Sequence, residues 1–418
     1  MDVVEKAKGL MEQNKSEEAV LLIESNLKLL SDEEKYTAAE FLWNWGFLEK
    51  AEQILIKLMH TYPEDSELKI MLGEIYIELE QDEQAIQLLS EITPKEPAYI
   101  QALIQLADLY QAQGLFEVSE SKLLEAKEMA PEEPIIDLAL GELYFSIGKF
   151  KQSTVYYEKL YKNHTKIANI SISNRLAEAY SMTGNYEAAL SYYEQVKTDE
   201  SDTLFKHGLT AYYADRKEMA INLWERLIHL DPYYYKVYHE LAKAYKDEGK
   251  LKEAYNVCMK GIEIDNFNKE LYYLASMVAY EEELYEESEE LIHKAISLDP
   301  EYLEAVLFLI RLLKKREDYE EIVQVIKNLK AFGSVEDPIF ELELARAYYK
   351  LEHFSSALHC YEEAYIELKD DSEFLKEYSY FLVEEGKREE AISVLNLYLE
   401  HEPFDEEVRE FMERLIYK

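Results

Sequence analysis

The sequence predicts an all-α protein of helix–turn–helix units stacked in a row, an α-solenoid. Three observations carry that expectation. A small residue recurs about every 34 residues, and Ala or Ser follows it twelve positions later, as Ala220 follows Gly208. In several copies Pro comes after another twelve, as at Pro232, Pro300 and Pro403. The chain also holds only 12 Gly and 9 Pro in 418 residues, most of them at expected turns. A fixed period of this size marks an array of supersecondary units, each too small to bury its own apolar face. Such an array grows by stacking, so the length does not require several separate domains.

The copies can be justified in order. The first runs from Ala7 to Ala19, and the second from Ala39 to Ala51 with Pro63 after it. Gly73 to Ala85, Ala107 to Ser119 with Pro131, and Gly141 to Ser153 follow. Ala177 to Ala189 is the sixth, Gly208 to Ala220 the seventh and Ala242 to Ala254 the eighth. Ser276, Ser288 and Pro300 mark the ninth. The tenth, near 303–337, has Ile310 and Ile322 where small residues are expected, so its packing should be looser or its geometry altered. Ala345 to Ala357 and Ser379 to Ala391 with Pro403 complete the series, and an acidic helix near 404–418 closes it.

Within one copy, residues 235–268, Tyr238, Leu241, Ala242 and Tyr245 fall at helical spacing before Gly249 interrupts them. Leu251, Ala254, Tyr255, Cys258 and Ile262 then form a second stripe. Two amphipathic helices joined by a Gly-containing turn satisfy that pattern. The spacing stretches over 160–171 and contracts near 197–204. The stretch reads either as a bend with a flexible link over Asn163–Asn169 or as a longer loop without consequence. It divides the array into an N-terminal part, 1–163, a continuous C-terminal part, 164–403, and the closing helix, 404–418.

The pattern resembles the tetratricopeptide repeat (TPR) family. Its first-helix small residue with Tyr three positions later reads here as Gly73–Tyr76, Ala107–Tyr110, Gly141–Tyr144, Ala177–Tyr180, Ala242–Tyr245 and Ala345–Tyr348. The second-helix aromatic reads as Tyr157, Tyr193, Trp224 and Tyr361. The resemblance spans essentially the whole chain, and more narrowly it extends to the long YpiA-type TPR proteins of Gram-positive bacteria. It implies a right-handed superhelix of about twelve TPR units with a C-terminal capping helix. It further implies a concave groove lined by the first helices, with the second helices facing outward.

Composition narrows the function. The chain has 86 acidic against 45 basic residues, a net charge of −41. So negative a surface repels phosphate backbones and anionic lipid heads, so neither nucleic acid nor a membrane surface is an expected partner. The charge serves either solubility or attraction of a basic partner. Cys258 and Cys360 sit in apolar stripes a hundred residues apart and read as small core residues, not a disulfide. No signal peptide and no apolar run of membrane-spanning length is visible, which points to a cytoplasmic protein. His353 and His359 lie six apart, the wrong spacing for a zinc pair on one helix face. No phosphate loop, nucleophile elbow or isolated carboxylate pair appears, so neither an enzyme nor a cofactor or metal protein is expected.

If the TPR groove carries over, its lining comes from residues one after each small residue and one turn to either side. The N-terminal copies then offer Glu40, Trp43, Glu74, Ile77, Asp108, Leu138, Glu142 and Phe145, an acidic floor with apolar spots. The seventh and ninth offer Phe205, Leu209, Tyr212, Tyr213, Tyr273, Met277 and Tyr280. The eighth, tenth and eleventh offer Lys236, Lys243, Lys246, Arg311, Lys314, Lys315, Arg346 and Lys350. Cations interleaved with aromatics on a rigid scaffold suit a peptide or helix with acidic and apolar groups. The same charges would also serve simply to balance neighbouring Glu and Asp.

The two-carboxylate clamp by which some TPR proteins hold chaperone tails is missing. Asn174 and Arg175 occur, but Phe205, Leu209, Leu138 and Glu142 stand at the neighbouring positions. The expectation is a non-catalytic, monomeric adaptor holding a protein segment, with a basic partner on the acidic N-terminal half as a second option. A regulator of a signalling phosphoprotein and a self-associating structural protein are the competing classes.

Overall fold

Small side chains at the recurring positions let two helices cross almost backbone to backbone. The computed structural model describes residues 3–333 and 337–417, and each apolar stripe becomes a helix. By close approach the chain divides into unit one, residues 1–214, and unit two, residues 215–418.

Unit one opens with α1 (Val3–Glu12), α2 (Ser16–Asn26), α3 (Asp32–Asn44) and α4 (Leu48–Thr61). Next come α5 (Ser66–Glu78), α6 (Asp82–Ser90), α7 (Tyr99–Ala112) and α8 (Phe116–Met129). It ends with α9 (Pro134–Ser146), α10 (Phe150–Tyr161), α11 (Ile172–Met182), α12 (Tyr186–Tyr193) and α13 (Ser201–Tyr213). Unit two holds α14 (Lys217–Leu230), α15 (Lys236–Asp247), α16 (Leu251–Ile264), α17 (Lys269–Glu281), α18 (Tyr285–Leu298) and α19 (Leu303–Lys315). It continues with α20 (Tyr319–Phe332), α21 (Pro338–Lys350), α22 (Phe354–Leu368), α23 (Ser372–Glu384), α24 (Arg388–His401) and α25 (Glu406–Tyr417). Odd-numbered helices up to α23 are the first members of hairpins. Each unit is an all-α solenoid in which a hairpin packs on the next, and α25 packs on α24.

The crossing points explain the period. A Cβ built on Gly141 would lie 2.5 Å from the ring of Tyr157, and one on Gly73 would lie 2.9 Å from Leu89. Ala177, Ala189, Ala242, Ala254, Ala345 and Ala357 are fully buried at the same sites. In the ninth hairpin serines replace them and bond across the crossing: Ser276 Oγ donates to the Ser288 carbonyl at 2.6 Å, and Ser288 Oγ returns a bond to Ser276 at 2.8 Å. The expected second-helix aromatics Tyr157, Tyr193, Trp224 and Tyr361 are buried. In the tenth hairpin Ile310 and Ile322 are buried too, but α19 and α20 approach closely over a shorter stretch than the flanking pairs. Branched side chains hold those backbones apart, as anticipated.

The segment 160–171 connects α10 to α11. It forms a small antiparallel ribbon, β1 (Lys166–Ile167) and β2 (Ile170–Ser171), turned by Ala168 and Asn169 at φ 45° and 65°. Paired left-handed residues match the twist of a two-residue hairpin turn. Ile167 and Ile170 pack against the core of α9, α10 and α11, and that burial holds the ribbon down.

Tyrosines tie helices together within a hairpin and from one hairpin to the next. Tyr99 donates to Glu125 at 2.5 Å, Tyr144 to Glu120 at 2.6 Å, Tyr180 to Glu158 and Tyr245 to Glu225. In the last three, a first-helix phenol reaches a carboxylate on the preceding second helix. The bond to Glu125 and the bond to Glu158, each aided by burial, push Tyr99 and Tyr180 up to about 12.

Seven positions past each small residue the hairpin turn needs a left-handed residue. Gly supplies it at Gly46, Gly114, Gly148, Gly184, Gly249 and Gly386, whereas Asn14, Glu80, Asp215, Glu283, Glu317 and Glu352 adopt it at φ 58° to 64°. A side chain there is disfavoured by about 1 kcal/mol relative to glycine. Glu283→Gly should therefore raise stability by about 1 kcal/mol, less the entropy glycine adds to the unfolded chain, read as a higher denaturation midpoint. The raised tyrosines set the alkaline limit. Their contribution is full below the free phenol value of about 10 and is lost as pH rises through about 12, so thermal stability should fall steeply from about pH 10 upward.

Candidate functional site

Successive first helices touch along one face in each unit: α5 meets α7, α7 meets α9 and α11 meets α13 in unit one, and α15 meets α17 in unit two. A side chain one residue past a small residue meets the side chain two residues before the small residue of the next hairpin. Glu142 on α9 meets Arg175 on α11 at 2.8 Å, and Glu178 meets Lys206 on α13 at 2.8 Å. Arg175 also bonds Glu178 at 3.1 Å, and Tyr157 donates to Glu142 at 2.8 Å. The result is a four-charge ladder, Glu142–Arg175–Glu178–Lys206, across three helices. Each of the four charges has a counter-charge within reach, although Arg175 Nε meets Glu142 as an ion pair without a hydrogen bond.

Unit two has a ladder of reversed sign, in which Arg346–Glu377 keeps that spacing and Lys314 reaches Glu343 from one turn further along its helix. Lys314 on α19 pairs with Glu343 on α21, Arg346 bonds Glu343 at 2.8 Å, and its guanidinium grips Glu377 on α23 at 2.9 and 2.5 Å. Tyr361 donates to Glu377 at 2.8 Å. Burial alone would raise Glu377, but the bond and charge of Arg346 and the bond from Tyr361 outweigh it and hold its pKa below the ordinary 4.5. Lys314 and Arg346 thus balance neighbouring carboxylates, the second of the two roles open to them in the sequence. Together they floor a cleft of about 500 Å³ with Tyr349, Tyr380 and Phe381 on its walls.

A cleft of about 600 Å³ lies over the ladder of unit one. Phe145, Met182, Leu209 and Tyr213 face it from α9, α11 and α13, and Phe150 and Tyr186 face it from the starts of α10 and α12. Tyr213 stacks on Tyr186 with centroids 5.8 Å apart and meets Tyr212 edge-on at 5.6 Å. Behind them His207 stacks on buried Tyr193 at 4.8 Å, and burial pushes its pKa down to about 4, so it is neutral at pH 7. Phe205 is half-buried on α13 and does not line the cleft. Leu138, expected in the groove, is 3% exposed and packs in the core with Tyr157, Leu160 and Ile172.

On α17 and α19 an aromatic wall forms. Tyr273 meets Phe308 at 5.9 Å and Tyr302 at 5.3 Å, while Tyr280 meets Phe308 at 6.0 Å and Tyr285 at 5.4 Å. Arg311 lies over Phe308 at 5.3 Å and Lys315 over Tyr280 at 4.6 Å. Both cations are exposed, and among the described residues neither pairs with a carboxylate. Lys246 beside them is committed to Glu281 at 3.0 Å, and Met277 and Lys243 are half-buried at matching points of α17 and α15. The wall therefore gathers Tyr273, Tyr280, Arg311 and Lys315, all four offered by the sequence. Glu343 and Glu377 escaped notice; each lies two residues before a small residue, one helix on from a groove cation.

Cys258 and Cys360 are free and buried, and burial pushes their thiols up to about 12 and about 11. Among the described residues no helix is long and apolar enough to cross a membrane.

Helical hairpins with small-residue crossings and a first-helix face that carries paired charges and open aromatics define a TPR protein. Models described as YpiA-like, tetratricopeptide repeats and YpiA-like, C-terminal tetratricopeptide repeats match residues 111–165 and 338–405. General TPR models match 46–107, 170–198, 235–268 and 269–302. The chain is 36% identical over 415 residues to the TPR repeat-containing protein YpiA of Bacillus subtilis (strain 168), covering 99% of this chain and 98% of that protein. It belongs to the YpiA-like family of tetratricopeptide repeat proteins. Human tetratricopeptide repeat protein 21B is 26% identical over 170 residues, 38% of this chain and 12% of that protein. The solved structure of YrrB, a TPR protein with an unusual peptide-binding site, is 19% identical and covers 44% of this chain and 95% of its own, with a TM-score of 0.39. Fold and family are those of a protein-interaction scaffold, a class that is typically non-catalytic.

Arg346→Met should lower the stability of unit two by about 2 kcal/mol, the scale of charged hydrogen bonds left half-made. Because Glu377 contributes above its ordinary pKa and loses that contribution as pH falls, the deficit should shrink below about pH 4.5. Urea unfolding of both forms at neutral and acid pH measures it.

Proposed function

We propose that the chain is a non-catalytic adaptor of the cytoplasm that holds a segment of a partner protein along the first-helix face of unit two. The observation that carries this reading is the pair Arg311 and Lys315, exposed over Phe308 and Tyr280 without an internal carboxylate partner. Unpaired cations on aromatic faces favour a ligand that brings both negative charge and apolar surface. Lys314 and Arg346, tied to Glu343 and Glu377, shape the neighbouring cleft and are not offered to the ligand. The segment is therefore one with acidic and apolar side chains in alternation, short enough to lie across α17 and α19.

Titration calorimetry with a peptide of alternating Glu and Leu tests the reading. Arg311→Gln with Lys315→Gln, or Tyr280→Ala, should weaken binding about tenfold or more, equivalent to about 1.4 kcal/mol. Lys252→Gln and Lys294→Gln on α16 and α18 should leave it unchanged. Equal losses on both sets, or no binding by the parent chain, would count against the surface.

A further inference from the structure

The cleft of unit two borders the aromatic wall, and α19 is common to both. That helix gives Phe308, Arg311 and Lys315 to the wall and Lys314 to the cleft. A segment seated on the wall therefore reaches, over α19, a cavity of about 500 Å³ that continues onto α21 and α23. Cavities that accept ligands run from about 300 to 1,000 Å³ and have mostly apolar walls.

The charges on the floor of this cleft are taken. Glu343 and Glu377 pair with Lys314 and Arg346, and Tyr349 donates to Glu384 at 2.7 Å. A charged group entering there would lose water without meeting a free counter-charge, which is disfavoured. An uncharged group meets rings instead. Tyr349 and Phe381 stand edge-on at 5.8 Å, and Tyr380 lies against Phe411 of α25 at 4.8 Å. Rings so placed offer edges and faces to a further ring. Of the lining cations only Lys350 is exposed, and among the described residues it pairs with no carboxylate. It stands five past Ala345, as Lys315 stands five past Ile310. Free cations on α19 and α21 thus accompany a cavity whose floor offers none.

We infer that the partner segment held by unit two carries an aromatic side chain that enters this cleft, with acidic residues on either side of it for Lys315 and Lys350. The inference rests on the adaptor reading and adds an anchoring subsite to it. Carboxylates set the position of the segment, and the ring supplies the buried anchor of the kind that dominates affinity at protein interfaces.

Fluorescence anisotropy with the full chain tests it, comparing a labelled peptide of alternating Glu and Leu with one whose central Leu is replaced by Trp. The Trp peptide should bind about tenfold more tightly. Tyr380→Ala should remove that gain, whereas Phe404→Ala, which deletes a ring 92% exposed in a loop, should keep it. Tyr280→Ala should weaken both peptides alike, which assigns the Trp to the cleft and not to the wall. If Tyr380→Ala loses its helical circular dichroism, Lys350→Gln decides. It should weaken the Trp peptide about threefold when Glu flanks the Trp and leave it unchanged when Gln does. Equal binding of the two peptides, a gain that survives Tyr380→Ala, or no effect of Lys350→Gln overturns the inference and leaves the unit-two surface standing. Binding of neither peptide removes the adaptor reading and the inference together.

Discussion

Everything in both units depends on how closely the two helices of a hairpin cross. Where Gly, Ala or Ser meets Ala or Ser, the backbones nearly touch, and the apolar side chains that would have filled that space are displaced to the hairpin-to-hairpin interface. Tyr157 packs there with Ile172 and Leu176, Tyr193 stacks on His207 and Tyr361 on Tyr378. A constant crossing distance gives a constant offset between successive first helices, and a constant offset is what brings one column of side chains onto another. The ladders follow from that geometry. Close packing makes the spacing stiff, because a core at crystal-like density does not yield continuously.

Charge is distributed accordingly. Each ladder holds two acids and two bases and is neutral, so the deep part of the face is quiet inside a chain of net charge −41. Much of the acidic excess near the hairpin interfaces accepts hydrogen bonds from tyrosine, as Glu120, Glu125, Glu158 and Glu225 do. A phenol donating to a carboxylate needs no counter-cation, which lets the interfaces carry acids without a matching supply of lysine. Buried ion pairs are weak sources of net stability but strong guides to register, since a shifted helix would strand charges.

The periodicity made the hairpins, their turns and their crossings legible, because small residues, left-handed turns and helical stripes are local signals. It also offered Tyr280, Arg311 and Tyr213 as surface residues of first helices; Arg311 and Tyr213 are exposed and Tyr280 is half-buried. What it could not show is which cation already has a partner: Arg346 and Arg311 occupy equivalent positions, yet Glu377 claims the first while the second lies on Phe308. That distinction depends on residues one hairpin away. Leu138 was misplaced because one turn before a small residue can face either the groove or the next core. The ribbon at 166–171 was hidden since two-residue strands leave no alternation to read, and only the Ala168–Asn169 turn hints at it.

Glu80, Asp215, Glu283, Glu317 and Glu352 stand exposed in left-handed turns that glycine would occupy with less strain. Each projects a full negative charge from a corner where glycine would project none. Corner charges raise the electrostatic barrier between neighbouring molecules. The conformational strain in these corners is thus coupled to colloidal behaviour: a chain with glycine at every corner would fold more firmly yet keep less distance from its own copies.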